Sequence, residues 1–274
     1  MKVARGAFFD KRKGFRFPAL ALLLILAGCG RPKVERVEWP VMGTVAAVQT
    51  RGATPEETAM VVREVKGVFS EVEKLLNAYD PNSELSRLAP LPEAEILRRC
   101  DKLVRPCYEL AFAWRETTKG SFNPRWRGTN TVDLGAVAKG FAVDVAAERL
   151  GKVRFSGDVL LDMGGNLLAV KGDWRVGIAG ADESFSLEEG HACATSAEYY
   201  RGKHIVDGRT GQVVSNGVYS VTVVATEAMS ADITSTTQFI FGPRERPECL
   251  DEWRTCSILW VMRDGKKIEW HPAF

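Results

Sequence analysis

The stretch DLGAVAKG, residues 133–140, combines an acid, two glycines and one lysine with small apolar residues, just before an amphipathic run that ends at Leu150. Small residues at a helix start leave backbone N–H groups accessible, and the helix dipole adds about half a positive charge there. The pattern therefore suits an anion such as a phosphate, with Lys139 as counter-charge. Asp133 fits such a site only if it caps the helix, binds a metal or accepts a hydrogen bond from a ring N–H. The alternative is an ordinary helix with Asp133 as N-cap and Lys139 on a solvated face.

Helical periodicity dominates the first half of the chain, and period-two alternation dominates the second. Three helices are predicted: 55–79 with a Thr54 capping box, 92–118 with a kink or break at Pro106, and one from within 133–140 to Leu150. The predicted strands are a strand or hairpin arm over 34–50, a meander of 159–161, 167–170 and 174–178, further strands within 192–226, and a hairpin of 257–262 and 267–270, with a helix over 227–241. Because no regular βαβ alternation occurs, the predicted fold class is α+β, with early helices packed on an antiparallel sheet in a single catalytic domain.

The first 28 residues have the pattern of a signal peptide. Basic residues precede an apolar run over 17–27 that is too short for a stable membrane span. The run ends in Leu26-Ala27-Gly28-Cys29, which resembles a bacterial lipobox, where the cysteine is lipid-modified and becomes the new N-terminus. We therefore expect a signal peptide over 1–28, a lipidated tether over 29–38 and the catalytic domain over 39–274, held by lipid at the periplasmic or extracytoplasmic face of a bacterial membrane. The alternative is an uncleaved anchor or a cysteine placed there by chance.

Charge and cysteine usage exclude two other classes. Residues 1–28 hold six basic residues and one acid, so their removal takes the net charge from +2 to about −3, without a basic nucleic-acid footprint. The cysteines lack zinc-knuckle spacing and there are only three histidines, which disfavours structural zinc. Cys100 and Cys107, seven residues apart, are predicted to lie on one buried helical stripe, too far apart for a disulfide.

Two further segments could carry chemistry. In the predicted helix over 227–241, Asp232 and Thr236 are four apart and share a face, giving a hard, oxygen-only partial site suited to Mg²⁺. The alternative is a polar helix face whose threonines bond to the backbone. His204, beside the turn DGRTG at 207–211, could act as a base or stack on a ring, although it could equally be a strand-end side chain with a backbone partner.

Taken together and in this order, these segments resemble the ApbE family, the FAD:protein FMN transferases of bacteria. The matching pieces span nearly all of the chain after the lipobox: MGT at 42–44, YDPNSELSRL at 79–88, GSFNP at 120–124, DLGAVAKG at 133–140 with AVD at 142–144, GG at 164–165, ATS at 194–196, HIVDGRTG at 204–211, and Ala231-Asp232 with Thr236. The runs at 79–88 and 133–140 are specific enough that chance agreement of both is implausible.

The resemblance implies an enzyme that binds FAD and Mg²⁺, cleaves the pyrophosphate and esterifies FMN to a threonine of a partner protein, with release of AMP. It implies an acceptor subunit of an Rnf-type or Na⁺-pumping NADH:quinone oxidoreductase complex. By position, the implied FAD contacts are Met42, Tyr79, Ser121, Phe122, Asn123, Asp133, Lys139 and Ile205. The implied Mg²⁺ ligands are the Ala136 carbonyl, Asp232 and Thr236, and His204 is the implied base for the acceptor threonine.

The chain departs from the family pattern at several positions. Asn123 stands where the family usually has Asp, and Gly208, Ala197 and Ala89 replace the usual Pro, Gly and Asn. Only nine residues separate Asn123 from Asp133, far fewer than is usual in the family, so we expect part of the isoalloxazine or adenine wall to be missing and FAD binding to be affected more than metal binding. Two alternative functions follow: a periplasmic FAD pyrophosphatase that yields FMN and AMP with water as the nucleophile, and a non-catalytic flavin-binding lipoprotein.

Overall fold

An eight-stranded antiparallel sheet supports the helices, with strand order β1-β2-β3-β4-β7-β10-β11-β12. The computed structural model describes residues 33–178, 181–198, 205–244 and 255–271. Its strands are β1 Val34–Val41, β2 Thr44–Arg51, β3 Asp158–Met163, β4 Asn166–Lys171, β5 Trp174–Gly177, β6 Ser184–Leu187, β7 Ala192–Ala197, β8 Val206–Asp207, β9 Gln212–Val213, β10 Val218–Ala225, β11 Thr255–Met262 and β12 Lys267–Trp270. Its helices are α1 Pro55–Leu76, α2 Glu84–Leu88, α3 Glu93–Arg99, α4 Arg105–Thr117, α5 Ala138–Leu150 and α6 Ala228–Phe241.

The predicted α+β class is confirmed, and local sequence signals explain the first helix. The Thr54 hydroxyl accepts the Glu57 N–H at 3.2 Å, and the Glu57 carboxylate accepts the Thr54 N–H at 2.9 Å, which completes the predicted capping box. From this start, α1 buries one apolar stripe that includes Val61, Val65 and Phe69. Within the part of the chain that the structure describes, no helix is long and apolar enough to span a bilayer.

The sheet register brings the quoted motifs to one end of the sheet. Met163 pairs with Ala46 of β2 and with Asn166 of β4, and Asn166 pairs in turn with Ala194 of β7. The turn at 164–165 therefore lies beside the start of β2, where an added Cβ on Gly164 would stand 2.4 Å from the Thr44 hydroxyl. The MGT, GG and ATS segments are thus neighbours in space although they are far apart in sequence.

Helix α6 is the central helix, because it packs on α5, β4, β7, β10 and β11. Eleven of its 14 residues are buried, so it has no solvated face along most of its length. It crosses α5 at Gly140, where an added Cβ would lie 2.3 Å from the Ala228 carbonyl oxygen. Only glycine permits the two backbones to approach this closely, which gives the last residue of DLGAVAKG a packing function.

The helix predicted over 92–118 does break, but the break lies at residues 100–104 rather than at Pro106. It is divided into α3 and α4, because Cys100 has an extended backbone with ψ of 153° and Pro106 lies in the first turn of α4. Cys100 and Cys107 therefore belong to different elements rather than to one helical stripe, and both are buried free thiols. The short helix α2, capped by the Ser83 hydroxyl, was not predicted.

The predicted meander is wrong at its third strand. Strand β5 pairs with β6 in a separate two-stranded sheet, while β7 occupies the place beside β4. Alternation and turn residues define a strand, but they do not determine which strand becomes its neighbour. Strand β1 begins at Val34, so residues 34–38, which fall within the range 29–38 expected as a tether, form an edge strand. The signal peptide and Cys29 lie outside the described residues.

We predict that Gly140→Ala destabilises the fold by about 1–3 kcal/mol, because the new methyl group meets backbone atoms of Ala228 and Met229 that cannot rotate away. Chemical denaturation of the purified protein measures this change. Gly67→Ala is the matched control, since Gly67 is an exposed residue of α1 with no atom within 4 Å of an added Cβ. It should gain about 1 kcal/mol from helix propensity. Equal effects of the two variants would contradict the packing function of Gly140.

Candidate functional site

A buried ion pair lies where α5 and α6 cross. The Lys139 ammonium is 3.3 Å from Asp232 Oδ2 and donates to the Gly135 carbonyl at 2.6 Å. The two side chains are only 18% and 7% exposed, so this lysine is not on a solvated face. Asp232 Oδ2 also accepts the Gly140 N–H at 3.1 Å. A carboxylate this deeply buried requires such partners to offset its lost hydration.

The same carboxylate changes the start of α5. Backbone bonds join Ala138 N to Leu134 O and Phe141 N to Val137 O, as in a regular helix. Gly140 N, which would ordinarily donate to the Ala136 carbonyl, donates to Asp232 instead. Among the described residues, no group donates to the Ala136 carbonyl. An oxygen acceptor is thereby left available one turn from Lys139.

The third predicted metal ligand, Thr236, lies one turn after Asp232 on α6. It is the one partly exposed residue between 231 and 240. Its hydroxyl is 3.0 Å from Ser196 Oγ of β7, which is also 2.8 Å from Ser235 Oγ. Ser235 in turn donates to the Asp232 carbonyl at 2.9 Å. These bonds fix the rotamer of Thr236 and tie α6 to the end of the sheet.

The donor set at this crossing fits Mg²⁺. The Ala136 carbonyl, the Asp232 carboxylate and the Thr236 hydroxyl are all oxygens, which is the ligand type that Mg²⁺ prefers. The Lys139 ammonium lies between the Gly135 carbonyl and this carboxylate, so a positive charge already stands beside the donor set. The described residues contain no group of three or more His, Cys, Asp or Glu suited to a metal.

Asp144 of α5 caps the start of α6, just as Asp232 of α6 accepts an N–H at the start of α5. The N-cap residue of α6, Glu227, makes no side-chain capping bond. The two carboxylate oxygens of Asp144 accept the N–H groups of Ala228 and Met229, each at 2.8 Å. Burial raises the pKa of Asp144 to about 7, although these two bonds favour the charged form. Sequence reasoning quoted Asp144 only as part of a motif; its position four residues after Gly140, on the same helix face, was the available signal.

Asp133 is not the N-cap of α5; that position is Val137, which makes no side-chain capping bond. Instead, Asp133 Oδ1 accepts the Gly135 N–H at 2.9 Å, and Oδ2 accepts the Trp126 indole N–H at 3.1 Å. Arg127 lies 3.6 Å from the same Oδ2. The alternative of an ordinary capped helix is therefore wrong, and sequence reasoning missed both Trp126 and Arg127.

The segment around Asn123 packs against the turn after β8. Gly208 N donates to the Ser121 carbonyl at 2.8 Å, and an added Cβ on Gly208 would lie 2.4 Å from the Asn123 Cβ. Two departures from the family pattern, Asn123 and Gly208, are thus in contact. A proline at 208 would lack the donating N–H and would clash. Ser121, Phe122 and Ile205 are buried, and the Ser121 hydroxyl has no partner among the described residues.

Met42 and Tyr79 have hydrogen-bond partners of their own, away from the α5–α6 crossing. Met42 lies in the β1–β2 turn with a φ of 49°, and its N–H donates to Glu73 of α1 at 2.7 Å. Tyr79 follows α1 and is 88% exposed. Within the described ranges, neither is hydrogen-bonded to the residues of the α5–α6 crossing. His204 lies outside the described residues.

Comparison with known proteins matches both sequence and fold. A profile described as the ApbE family matches residues 125–260. An FAD:protein FMN transferase of Vibrio cholerae is 28% identical over an alignment of 320 positions, covering 91% of this chain and 94% of the relative. Another of that name, from Klebsiella pneumoniae, is 33% identical over 147 positions, or 48% of this chain and 46% of the relative.

Solved structures agree with this. The flavin transferase ApbE of Vibrio cholerae superposes with a TM-score of 0.71 at 22% identity, over 88% of this chain and 98% of that one. The apo flavinyl transferase ApbE of Pseudomonas stutzeri gives a TM-score of 0.70 at 21% identity, over 89% and 96% of the two chains. The fold is therefore that of the flavin transferases. Residues 125–260 match the ApbE family in sequence, and the fold agrees with that match over 88% of the chain.

The raised pKa of Asp144 predicts a pH dependence of stability. Between about pH 4 and 7 the folded chain binds this proton more tightly than the unfolded chain, so the free energy of unfolding falls as the pH rises through that window. The slope is at most about 1.4 kcal/mol per pH unit, and this contribution is constant above pH 7. Denaturation series of the metal-free protein measure it. Asp144→Asn should flatten the slope, and a slope unchanged by that substitution would contradict the assignment.

Proposed function

We propose that this chain transfers FMN from FAD to a threonine of an acceptor protein and releases AMP, with Mg²⁺ bound at the α5–α6 crossing. One observation carries the proposal: the Gly140 N–H donates to Asp232 Oδ2 at 3.1 Å instead of to the Ala136 carbonyl. The Ala136 carbonyl, the Asp232 carboxylate and the Thr236 hydroxyl therefore remain as a set of oxygen donors beside Lys139. The match of residues 125–260 to the ApbE family, and the names of the Vibrio cholerae and Klebsiella pneumoniae relatives, support the same reaction.

In the proposed reaction the threonine oxygen attacks the FMN phosphorus of FAD. The bond from that phosphorus to the bridging oxygen breaks, and AMP leaves with that oxygen and its electron pair. The threonine proton passes to a base, for which His204 is the candidate. Such a displacement is accelerated mainly by holding the reactants in line and by neutralising charge on the phosphate oxygens.

The residues of the crossing suit these requirements. Mg²⁺ held by the Ala136 carbonyl, Asp232 and Thr236 would supply charge neutralisation on the pyrophosphate. Lys139, which is 18% exposed, can exchange its contact with Asp232 for a phosphate oxygen once a second cation neutralises that carboxylate. Asp133 would accept a hydrogen bond from the flavin ring, since a carboxylate would repel phosphate.

The proposed acceptor is a subunit of an Rnf-type or Na⁺-pumping NADH:quinone oxidoreductase complex, as the family resemblance implies. A lipid on Cys29 would hold this enzyme at the membrane surface, which would raise the local concentration of a membrane-bound partner. The lipobox pattern at 26–29 supports this placement.

The test is incubation of the purified protein with FAD, Mg²⁺ and an FMN-accepting domain from such a complex, followed by in-gel flavin fluorescence under denaturing conditions. We expect a covalently labelled acceptor and one AMP per label. Asp232→Ala should lower the transfer rate about a hundredfold or more, because it removes the charged member of the donor set.

Glu148→Gln provides the matched control, since it removes an exposed carboxylate of α5 whose partner is Lys152 on the surface. Its rate should equal that of the unaltered protein. AMP release without a labelled acceptor would replace this proposal with the FAD pyrophosphatase. Tight FAD binding that is indifferent to Mg²⁺ and to Asp232→Ala, with neither AMP nor label, would replace it with a flavin-binding lipoprotein.

A further inference from the structure

The segment between Asn123 and Asp133 is an anchored loop. Arg125 donates to the carbonyls of Ala89 and Leu91 at 2.8 and 2.7 Å, and to that of Thr131 at 3.3 Å. Its side chain is only 12% exposed. Ala89 stands where the family usually has asparagine, so a departure from the family pattern contacts the shortened segment directly. The loop is therefore held in a defined conformation by a buried cation and several backbone oxygens.

The anchored loop presents two donors to Asp133. The Asp133 N–H closes the loop by donating to the Pro124 carbonyl at 2.7 Å. The next two residues after Arg125, Trp126 and Arg127, then reach Asp133 Oδ2 at 3.1 and 3.6 Å. The Arg127 guanidinium stacks on the Trp126 ring at 4.6 Å, which fixes the two donors relative to each other. Asp133 is 31% exposed at its side chain, so a ligand can reach this edge.

The hydrogen-bonding groups of Asp133, Trp126 and Arg127 are complementary to one edge of a flavin ring. Asp133 offers an acceptor, and Trp126 and Arg127 offer two donors beside its Oδ2. A flavin ring carries an imide edge, in which one N–H lies between two carbonyl oxygens, so it supplies one donor for Asp133 and two acceptors for Trp126 and Arg127. Adenine offers an amino group beside a ring nitrogen, which leaves one of the two donors without an acceptor. A phosphate is repelled by the carboxylate.

We propose that Trp126 and Arg127 are specificity-determining residues that, together with Asp133, recognise the imide edge of the flavin ring. The inference rests on the proposed function, in which FAD is the substrate. In the free protein both donors are directed at Asp133, which keeps its carboxylate ordered. On binding, they turn to the two ring carbonyls while Asp133 accepts the ring N–H.

The test is a set of binding titrations with FAD, FMN, 3-methyl-FMN and ADP. The 3-methyl compound lacks the imide N–H and should bind the unaltered protein about tenfold or more weakly than FMN. Trp126→Phe retains the ring but loses the N–H, and Arg127→Gln loses the charge at an exposed position. Each should weaken FAD and FMN about five- to tenfold and leave ADP within about twofold.

Trp174→Phe is the matched control. Like Trp126, Trp174 donates its indole N–H, here to the Lys171 carbonyl at 3.1 Å, and it has an arginine, Arg51, stacked on its ring. Unlike Trp126, it lies on β5. This substitution should leave all four affinities unchanged. Thermal unfolding of each variant verifies that the loop remains folded. Equal binding of FMN and 3-methyl-FMN, FMN affinity unchanged in both loop variants, or an equal loss of ADP binding would each overturn the inference.

The same preparations are assayed for FMN transfer. This assay distinguishes a failure of the imide inference from a failure of the proposed transfer reaction. Transfer by the unaltered protein, combined with unchanged FMN affinity in Trp126→Phe and Arg127→Gln, would overturn the imide inference alone. Absence of transfer, with the expected binding pattern intact, would overturn the proposed reaction alone. Absence of any flavin binding would overturn both.

Discussion

The close crossing of α5 and α6 at Gly140 is the constraint on which the rest of the site depends. Each helix supplies an acid to the amides of the other: Asp232 of α6 accepts from Gly140, and Asp144 of α5 accepts from Ala228 and Met229. Helix starts leave unpaired N–H groups that require partners when buried. Neither acid could reach its amide if a side chain at position 140 separated the helices, because its Cβ would occupy the space of the Ala228 carbonyl.

Placing these two carboxylates at the crossing costs folding free energy, and this cost indicates a function for the crossing. Two carboxylates lie at the crossing, Asp232 buried and Asp144 partly buried, and desolvation raises the pKa of Asp144 to about 7. Apolar residues of similar volume often stabilise a core more than buried charges do. Among the described residues, the side chain of Asp232 has Lys139 and the Gly140 amide as partners, and a divalent cation would satisfy this carboxylate better. Local conflict between stability and composition is typical of functional sites.

The sequence predicted best what depends on neighbours along the chain. The capping box at Thr54, the helix over 227–241 and the final hairpin follow from local patterns, and the structure confirms them. It did not predict that β7 would displace β5 beside β4, or that Asp232 would bond to an amide 92 residues away, because local periodicity carries no information about such pairings. Helical spacing paired Asp232 with Thr236, and the resemblance to a family added Ala136. The Ala136 carbonyl, which does not accept the Gly140 N–H, gives that grouping a physical reason.

The departures from the family pattern are related when they are seen in space. Gly208 contacts Asn123, and Ala89 accepts a hydrogen bond from Arg125, so three of the changed positions lie against the shortened segment or its first residue. If the binding site had simply been lost, the substituted positions would not be expected to contact one another. Each of these three changes contacts another of them or the shortened segment. The Gly208 N–H donates to the Ser121 carbonyl, which a proline could not do, and Arg125 donates to the carbonyls of Ala89 and Leu91. The shortened segment is therefore held in a defined conformation, with Trp126 and Arg127 directed at Asp133.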